Sequence, residues 1–448
     1  MTKNTILIHQ DNNYFLTLTI AYRNYNRTQT MIKYVSLISS RFLFLLCSFF
    51  VLCFNNGGLP FLYYIERYTT SALQSFIPWF AQKYLNLPEP ITVFTNGSGD
   101  TTYNYVLLFC VLLITLFGTF IWSILDRKRK SHDQLFYWLT VLLRFYVGFM
   151  LAHYAIAKLN EGQFPSLYLG QLSTTYGESS PMGLAWRFLG FSEGYKWFMF
   201  TAELMGILLF FRKTATIGAF LCLMTSANIM AINYFFDVPV KIVSTALVVM
   251  CLIILSPNIM NLIKFFFKGE LVKLNQLKAP IFKAKWLGIS KLVLKYAAVL
   301  LYAGAPLTMA LKIALLDEKV DDKSPVYGAY TIESLKPDKN DSISGNSFLK
   351  RKWNFIAFDR KNSAYIHYNN EETAWCTYGV DSASKTISIA FTDDPKVNYT
   401  LNYQFADSNK LILKGDIFGT PATLTLNKKK FILTERKFRW VNEHPYNR

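Results

Sequence analysis

The sequence predicts a polytopic α-helical membrane protein with about seven transmembrane helices and a C-terminal all-β domain. Three observations predict this fold class. Apolar runs of membrane-spanning length fill residues 34–312, the residue pattern becomes alternating after about residue 325, and basic residues gather in alternate connections. A helix of about 20 apolar residues crosses the roughly 30 Å hydrocarbon core of a bilayer, so each long run is a candidate span.

The clearest predicted span covers residues 105–125, and it ends at the charged run 126–130. Each span must be helical, because hydrocarbon offers no water to unpaired backbone groups. The other predicted spans cover residues 36–54, 136–157, 195–211, 214–234, 239–256 and 289–311.

The distribution of lysine and arginine predicts the orientation. Residues 126–135, 212–213 and 257–295 carry four, two and eight basic residues, whereas 55–102 and 159–194 carry two and one. Basic connections stay in the cytoplasm. Seven spans then place the N-terminus inside and the chain after Leu311 outside, and one re-entrant span would invert this. The net charge of +18 arises mainly from these connections, which excludes nucleic acid as the partner.

Residues 1–33 form a polar N-terminal extension with no evident signal peptide, and Met31 is an alternative start. Residues 34–135 supply two transmembrane helices before the core, with an outer loop at 55–102 whose apolar spacing predicts one or two amphipathic helices. The turn at 96–102 is interpreted as an Asp or Thr helix cap, with an anion site built from free N–H groups as the alternative. Residues 182–188 predict a half-helix too short to cross.

The candidate site consists of polar residues in or beside the predicted spans. Charged groups there cost several kcal/mol unless they face a partner or a wet cavity. Their expected depths place most of them in the outer half of the bilayer, so we predict one outward-opening polar chamber lined by the third to sixth spans. The candidate residues are Arg144, His153, Lys158, Glu203, Asn228, Asn233, Asp237 and Lys241.

Two interpretations of this chamber remain open. In one, buried salt bridges such as Glu203 with His153 or Lys158 hold helices together. In the other, the chamber binds a polar ligand, a quinone headgroup or a proton. Arg144 is either a side chain that snorkels towards the inner surface or a third charge in the wall.

The cofactor stays unknown, with a quinone as a candidate. Only one of the five histidines lies in a predicted span, which argues against a haem held by two histidines. The six cysteines are dispersed without a C-x-x-C pair, and no nucleotide-binding motif or clustered zinc ligands occur. Redox chemistry would therefore need a diffusible carrier or another subunit, and we leave open whether the chain is an enzyme.

Four motifs carry a family resemblance. They are A-I-A-K at 155–158, A-E-L-M-G-I-L-L at 202–209, F-R-K-T-A-T-I-G-A at 211–219 and N-Y-F-F-D-V-P-V-K at 233–241. Together they resemble the DoxX-like family of membrane proteins over about residues 136–265. The resemblance implies a four-helix membrane core, here residues 136–268. Hydropathy and charge predict that a basic cytoplasmic linker and a last transmembrane helix follow at 269–312, and these depart from the short members of the family. For some members it also implies quinone-linked oxidation of sulfur compounds.

Residues 313–448 are expected to contain an extracytoplasmic β domain, because apolar residues alternate from about residue 325 onwards. About eight strands favour a small up-and-down barrel of lipocalin-like type over a sandwich. Such a barrel is filled by side chains or holds one apolar ligand. The alternating sets include Trp353, Phe355 and Ala357, and the predicted turns are 393–395, 407–409 and 418–421. The basic and aromatic segment 436–440 would pack on the barrel or on the membrane surface.

Two function classes follow from these observations. The favoured one is a DoxX-like multi-pass protein of the cell envelope that binds or passes a lipid or small polar ligand. The alternative is a membrane subunit of a quinone-linked oxidoreductase. Expected partners are the lipid bilayer, a lipid or quinone ligand and other membrane-protein subunits. The expected location is the bacterial inner membrane.

Overall fold

The structure is a computed structural model, and it divides the chain into two compact units. The helical unit is Met1–Phe164 with Ser192–Leu316, and the barrel unit is Pro165–Phe191 with Asp317–Arg448. The described residues are 31, 33–87, 91, 93, 97–159, 162–277, 279–280, 284–316, 323–337, 353–360, 362–368, 372–392, 394, 397–417, 420–436 and 438–446.

The helices are numbered in chain order. They are α1 Lys33–Cys53, α2 Tyr63–Leu85, α3 Thr102–Leu125, α4 Asp133–Leu159, α5 Leu169–Ser173, α6 Pro181–Phe191, α7 Glu193–Leu204, α8 Ala215–Phe235, α9 Lys241–Leu255, α10 Ile259–Lys268, α11 Lys285–Val299, α12 Ala305–Leu316 and α13 Ile432–Glu435. A 3-10 segment, Met205–Phe210, continues α7, and a π-helical turn, Leu300–Gly304, joins α11 to α12. Helices α5, α6 and α13 belong to the barrel unit.

Each predicted span coincides with helix to within a few residues, but the helices differ in length. Among the described residues, five are long and apolar enough to cross a membrane: α1, α3, α4, α8 and the continuous Lys285–Leu315. Helices α9 and α10 make a sixth if they count as one span, although they meet at 82°. The fourth predicted span contains α7 and the 3-10 segment and is not among these five. A total of seven therefore stays a prediction.

Helix α4 lies at the centre of the helical unit. Leu139, Leu143 and Val147 are fully buried, and most of the helix packs against its neighbours. Gly148 allows close packing on the 3-10 segment, since a Cβ there would lie 2.7 Å from the Phe210 ring. The outward face of α3 is different, because Phe117 is 67% exposed. The unit therefore has a packed core and an apolar exterior.

In the described part of the loop before α3 there is one α-helix, α2, which agrees with the lower of the two predicted counts. Ile77 and Ala81 on this helix are buried. Tyr64 and Tyr68 lie on the opposite side and are 68% and 80% exposed. The apolar residues that predicted an amphipathic helix thus lie on two faces of α2. One face packs on the unit, and the other is an exposed aromatic face.

The barrel unit contains eight antiparallel strands in a closed barrel. They are β1 Gly328–Pro337, β2 Trp353–Phe358, β3 Ser363–Tyr368, β4 Thr373–Asp381, β5 Thr386–Phe391, β6 Asn398–Phe405, β7 Lys410–Ile417 and β8 Thr420–Lys428. Each strand pairs with the next, and β8 pairs with β1. The predicted up-and-down barrel is confirmed, and the sandwich alternative is wrong.

The barrel interior is filled by side chains. Ile389, Leu401, Leu413 and Leu424 each have no exposed area, as expected from alternating strands. The predicted turn at 407–409 joins β6 to β7, and the Asp407 carboxylate accepts a hydrogen bond of 2.6 Å from the Asn409 N–H. Parts of the predicted turns 393–395 and 418–421 lie outside the described residues.

One predicted alternation is wrong. Trp353 packs in the barrel interior, but the register shifts before Phe355, and the interior positions then become Ile356 and Phe358. Phe355 and Ala357 instead form a small cluster with Ala329 on the outer face of the barrel. A bulge explains the change, because one extra residue moves every following side chain to the other face of the strand.

The segment Pro165–Phe191 packs with the barrel, whereas the sequence placed it in the membrane core. The Asp359 carboxylate accepts a hydrogen bond of 2.5 Å from the Leu169 N–H. The Tyr168 ring contacts Trp375, with ring centroids 5.4 Å apart. Leu169 also packs on the outer cluster of the barrel. The register shift in β2 thus creates the apolar surface that this segment covers.

The C-terminal segment after α13 is exposed. Phe438 is 77% exposed and Trp440 is 91% exposed. The Arg436 guanidinium lies 3.9 Å from the centroid of the Tyr446 ring, and its Nη2 donates to Asn442. Packing of these two aromatic rings on the barrel is therefore wrong, and contact with a membrane surface stays a prediction.

Candidate functional site

Three of the predicted site residues lie on α4, and helix geometry separates them. His153 and Lys158 are five residues apart, which corresponds to about 140° around the helix axis. Arg144 and Lys158 lie on similar sides, but their Cα atoms are about 21 Å apart along the axis. The three side chains therefore face different environments, and the single chamber predicted from depth alone is not formed by them.

Lys158 and Glu203 form a buried ion pair between α4 and α7. The Lys158 Nζ lies 2.6 Å from Glu203 Oε2, and each side chain is only 4% exposed. Lys158 also donates to Gln163 Oε1 at 3.0 Å, and its ammonium lies over the Phe164 ring. A buried pair with additional hydrogen bonds fits the structural interpretation, in which the charges hold two helices together. Of the two partners predicted for Glu203, His153 and Lys158, the structure shows Lys158.

His153 lies on another side of α4. Its imidazole interacts with the backbone groups of Gly57, in the loop before α2, and of Tyr302, in the π-helical turn. A π-helical turn changes the local hydrogen-bond pattern of a helix and recurs at functional sites. His153 is therefore associated with the last helix of the unit, and its suggested pairing with Glu203 does not occur.

Arg144 is the third predicted site residue on α4. Its side chain is largely buried, and Nε donates a hydrogen bond of 2.7 Å to the Leu209 carbonyl in the 3-10 segment. It lines a cavity with Arg212 and Lys213 at the end of α4 remote from Lys158. Arg144 therefore does not share a site with the Lys158–Glu203 pair, because it lies about 21 Å from Lys158 along the axis of α4.

A second polar cluster forms at the turn between α8 and α9, which brings together three other predicted site residues, Asn233, Asp237 and Lys241. The Lys241 ammonium lies 2.9 Å from Asp237 Oδ1 and 4.0 Å from Asp100 Oδ2. Asn233 is buried, and its side-chain amide donates to the Val240 carbonyl at 3.4 Å. Asp237 adopts a left-handed φ of 50°, which reverses the chain between the helices.

Asp100 was not among the predicted site residues, yet it organises this cluster. Its two carboxylate oxygens accept hydrogen bonds from the N–H groups of Lys241 and Ile242, at 2.6 and 3.0 Å. Asp100 thus occupies the N-terminus of α9, whereas Thr101 caps α3 through the Asn104 N–H. The cap interpretation of the 96–102 turn is confirmed, but its Asp caps a helix more than a hundred residues away.

An apolar cavity of about 320 Å³ adjoins this cluster. Its walls come from α1, α3, α8 and α9, and its polar groups are Tyr105, Tyr234 and Thr245. The Tyr234 and Thr245 hydroxyls are 3.1 Å apart. Ile242 connects the cavity to the cluster, because it lines the cavity wall and its N–H donates to the Asp100 carboxylate. The apolar wall residues are Leu46, Cys47, Phe50, Leu108, Leu112, Ile242, Ala246, Val249 and Met250.

We define the cavity site as this apolar cavity with the charged cluster of Asp100, Asp237 and Lys241 at its edge. Such a combination suits an amphipathic ligand, whose tail contacts the wall while its polar group meets hydroxyls and charges. The apolar residues were visible in the sequence only as ordinary span residues. Their convergence depends on helix packing.

Asn228 does not join either cluster. It is exposed on α8, on the same face as Ile217 and Met224. Arg41 is a buried charge that the sequence reasoning missed, although it lies in the first predicted span. Its guanidinium donates to Ser123 and to the Asp126 carbonyl, at 3.1 and 2.9 Å. The criterion used for Arg144, a charge within an apolar run, would have found it.

The barrel unit has an apolar groove of its own, outside the filled barrel. It has a volume of about 430 Å³ and lies between α5, α6 and α13. Leu172, Phe188 and Ile432 line it, and Arg187 is its charged residue. Among the described residues, no three histidine, cysteine, aspartate or glutamate side chains converge as a metal site.

No protein-family model and no solved structure matches the chain. The chain is 36% identical over 115 residues to the "Uncharacterized protein YwoB" of Bacillus subtilis (strain 168). The aligned region covers 25% of this chain and 71% of that protein. The chain belongs to the YwoB family. The name YwoB states no activity, so membership of the YwoB family leaves function to be argued from the geometry of the helical unit.

Proposed function

We propose that this chain is a multi-pass membrane protein of the bacterial cell envelope that binds a lipid or another small amphipathic ligand. The observation that carries the proposal is the cavity site, in which an apolar cavity meets hydroxyls and a charged cluster. A free acyl chain or prenyl chain gains contact with the wall, and a polar headgroup gains hydrogen bonds at the edge. The buried Lys158–Glu203 pair then has a structural role.

The distribution of apolar surface supports a membrane location. Phe117 and Phe120 on α3 and Leu294 on α11 are each more than 60% exposed. In water such surfaces would be costly, whereas a bilayer solvates them. The helical unit also buries its charges in pairs or against backbone acceptors, as charges inside a membrane protein require.

The proposed membrane core is the DoxX-like four-helix arrangement of α4, α7, α8 and α9. In the helical unit α4 packs against α7, the 3-10 segment and α9, and α8 packs against α9. The lysine and arginine distribution supports a cytoplasmic location for Arg212 and Lys213 and an outside location for the barrel unit. The turn between α8 and α9 would then face outwards, and a ligand would enter the cavity site from the outer leaflet.

Reporter fusions test this topology. A fluorescent protein that folds only in the cytoplasm should be active after Ser131, and alkaline phosphatase should be active after Leu316. Phosphatase activity after Ser131, or fluorescence after Leu316, would contradict the orientation. Release of the full chain from membranes by carbonate would contradict the membrane location itself.

Ligand co-purification tests the cavity site. The full chain extracted in mild detergent should carry lipid or quinone that mass spectrometry identifies. Val249→Trp fills the cavity and should remove that molecule. Val293→Trp is the matched control, because Val293 lies on the exposed face of α11, is 61% exposed and is remote from the cavity wall. Equal ligand content in both variants would refute the proposed site.

The alternative is a membrane subunit of a quinone-linked oxidoreductase. The hydroxyls of Tyr105, Tyr234 and Thr245 favour it, because hydroxyl donors can bond a quinone carbonyl while the apolar wall accepts its chain. The same extraction separates the two functions. A bound quinone that becomes reduced in membranes given an electron donor supports the alternative, and a phospholipid or fatty acid supports the first proposal.

A further inference from the structure

A second cavity lies in the helical unit, at the end of α4 remote from the Lys158–Glu203 pair. It has a volume of about 80 Å³, which is room for several water molecules or one small oxyanion. Arg144, Arg212 and Lys213 line it, and none of its lining residues is acidic. Three converging cations without a carboxylate leave positive charge that an anion would neutralise. We call this cavity the basic pocket.

Arg144 shows that the pocket contains a buried charged side chain and is not only a surface depression. Its side chain is only 8% exposed, and its guanidinium is fixed by the single Nε bond to Leu209 O. Within the described part of the chain, the two Nη groups have no hydrogen-bond partner and no ion pair. A guanidinium with free Nη groups is suited to two parallel hydrogen bonds with a phosphate or carboxylate.

The N-terminus of α8 supplies a second attraction for an anion. Ala215 and Thr216, the first two residues of this 21-residue helix, line the pocket. The first N–H groups of a helix lack intrahelical acceptors, and the helix dipole places partial positive charge there. Thr214 does not cap the helix, because its hydroxyl donates to the Leu208 carbonyl at 2.7 Å instead.

Two further lysines extend the positive field around the pocket. Lys291 donates to the hydroxyl of Tyr137, a pocket residue, at 3.3 Å. Lys295 is close enough to Arg144 for the two cations to repel each other. Both lysines come from α11, so three separate parts of the unit direct positive charge to one place. Such an arrangement costs stability unless an anion compensates it.

The chain after α10 forms the remaining wall. The Arg212 Nη2 donates to the Leu277 carbonyl at 2.6 Å. Asn258 and Asn275 bond reciprocally, with the Asn275 N–H donating to the Asn258 side chain at 2.6 Å and the Asn258 amide donating to the Asn275 carbonyl at 3.1 Å. These bonds fix residues 275–277 at the pocket, so this wall is held by hydrogen bonds to the backbone.

We propose that the basic pocket binds a phosphate group, carried either by an anionic lipid headgroup or by a free phosphate compound. Phosphate matches the forked donors of Arg144 and Arg212, the ammonium of Lys213 and the N–H groups of α8. Basic pockets between membrane helices bind anionic headgroups by this chemistry. The inference is independent of the cavity site, because the two sites share no residue.

The test uses the full chain in neutral detergent, with inorganic phosphate as the first probe and chloride at equal ionic strength as the reference. Phosphate should raise the melting temperature of the wild type. Arg212→Gln/Lys213→Gln should weaken phosphate binding by about tenfold or more, because two charged donors are lost. Lys268→Gln is the matched control, since Lys268 is an exposed basic residue at the end of α10, outside the pocket.

The second probe distinguishes the source of the phosphate. The melting temperature is compared in phosphatidylcholine nanodiscs with and without phosphatidylglycerol. A rise that occurs only with the anionic lipid shows that the pocket binds a lipid headgroup. A shift with inorganic phosphate in phosphatidylcholine nanodiscs reports a free compound. Arg144→Gln should abolish either shift, and the double variant covers the case in which Arg144→Gln does not fold. No shift with either probe, or equal shifts in the double variant and Lys268→Gln, would overturn the proposal.

Discussion

The helical unit and the barrel unit place polar and apolar groups in opposite ways. The helical unit buries the Lys158–Glu203 pair and the Arg41 guanidinium, while Phe117 and Phe120 lie exposed. The barrel unit fills its interior with residues such as Leu401 and keeps its ion pairs at the surface. A folded unit exposes the groups that its surroundings solvate. The contrast teaches that the two units differ in which groups they expose, and the exposed apolar surface of the helical unit is compatible with the proposed membrane location.

The largest expected effect is the loss of one partner from the buried ion pair. Lys158→Met should lower the free energy of unfolding of the helical unit by about 3–5 kcal/mol, because Glu203 would keep a buried, unpaired charge. Lys158→Met/Glu203→Leu should recover most of that loss. Thermal unfolding in detergent measures both.

The barrel unit supplies the matched control for that prediction. Lys410 and Glu333 form a pair at 3.2 Å in which both side chains are more than 40% exposed. Lys410→Met should cost less than about 1 kcal/mol, because water replaces the lost partner. Equal costs for the two lysine variants would break the proposed contrast between the units.

A second prediction compares apolar residues. Leu413→Ala should destabilise the barrel unit by about 2–5 kcal/mol, because it leaves a cavity in a filled interior. Leu292→Ala on α11, where the leucine is 55% exposed, should change stability by less than about 0.5 kcal/mol. Calorimetry of the full chain would record which transition moves. A large loss from Leu292→Ala would indicate that this face packs against another protein rather than lipid.

A third prediction concerns the segment Pro165–Phe191 within the barrel unit. Asp359→Ala should cost about 1–3 kcal/mol, because the Leu169 N–H loses its charged acceptor. Limited proteolysis should then cut the segment faster. Asp416→Ala is the control, since Asp416 is exposed on β7. Unchanged proteolysis in Asp359→Ala would mean that apolar contacts alone hold the segment on the barrel.

The smallest expected effect is a pH dependence from His367. Partial burial against Phe355 and Tyr365 lowers the pKa of His367, an effect that Glu178 opposes and Lys429 reinforces. Below the unfolded pKa of about 6.5 the unfolded chain takes up the proton first, so this histidine contributes a loss of stability as the pH falls. Above that pH it contributes none.

His367→Gln should therefore flatten the decline in barrel stability on acidification below about pH 6.5. Melting temperatures of the barrel transition, measured between neutral and mildly acidic pH, would show the change. His444→Gln serves as the control, because His444 is exposed in the C-terminal segment. A steeper decline in His367→Gln would contradict the direction of the pKa shift.

Local patterns account for what could be predicted from the sequence. The predicted span at 214–234 differs from α8 by one residue at each end, because an uninterrupted apolar run bounded by polar residues is visible in a few turns of chain. Period-two alternation likewise identified β5 and β7. Phe355 was placed on the wrong face, since a bulge shifts the register without leaving a signal in the alternation itself.

The candidate sites required more than local pattern. The sequence identified Arg144, Lys158 and Glu203 as charges that need partners, but similar depth was treated as sufficient to bring Glu203 and His153 together. Rotation about the helix axis and distance along it decide which groups meet, and those depend on how α4 packs. Arg144 therefore faces the basic pocket, while Lys158 meets Glu203.

The sequence by itself determined the two kinds of unit, the positions of the apolar helices, the up-and-down order of the strands and the presence of buried charge. These properties follow from hydrophobic period and from the cost of charge in apolar surroundings, which depend on neighbouring residues. Only the tertiary structure decided that Asp100 caps α9, that Pro165–Phe191 packs on the barrel and that two separate cavities exist. Such contacts join residues far apart in the chain, so they depend on the packing of whole elements.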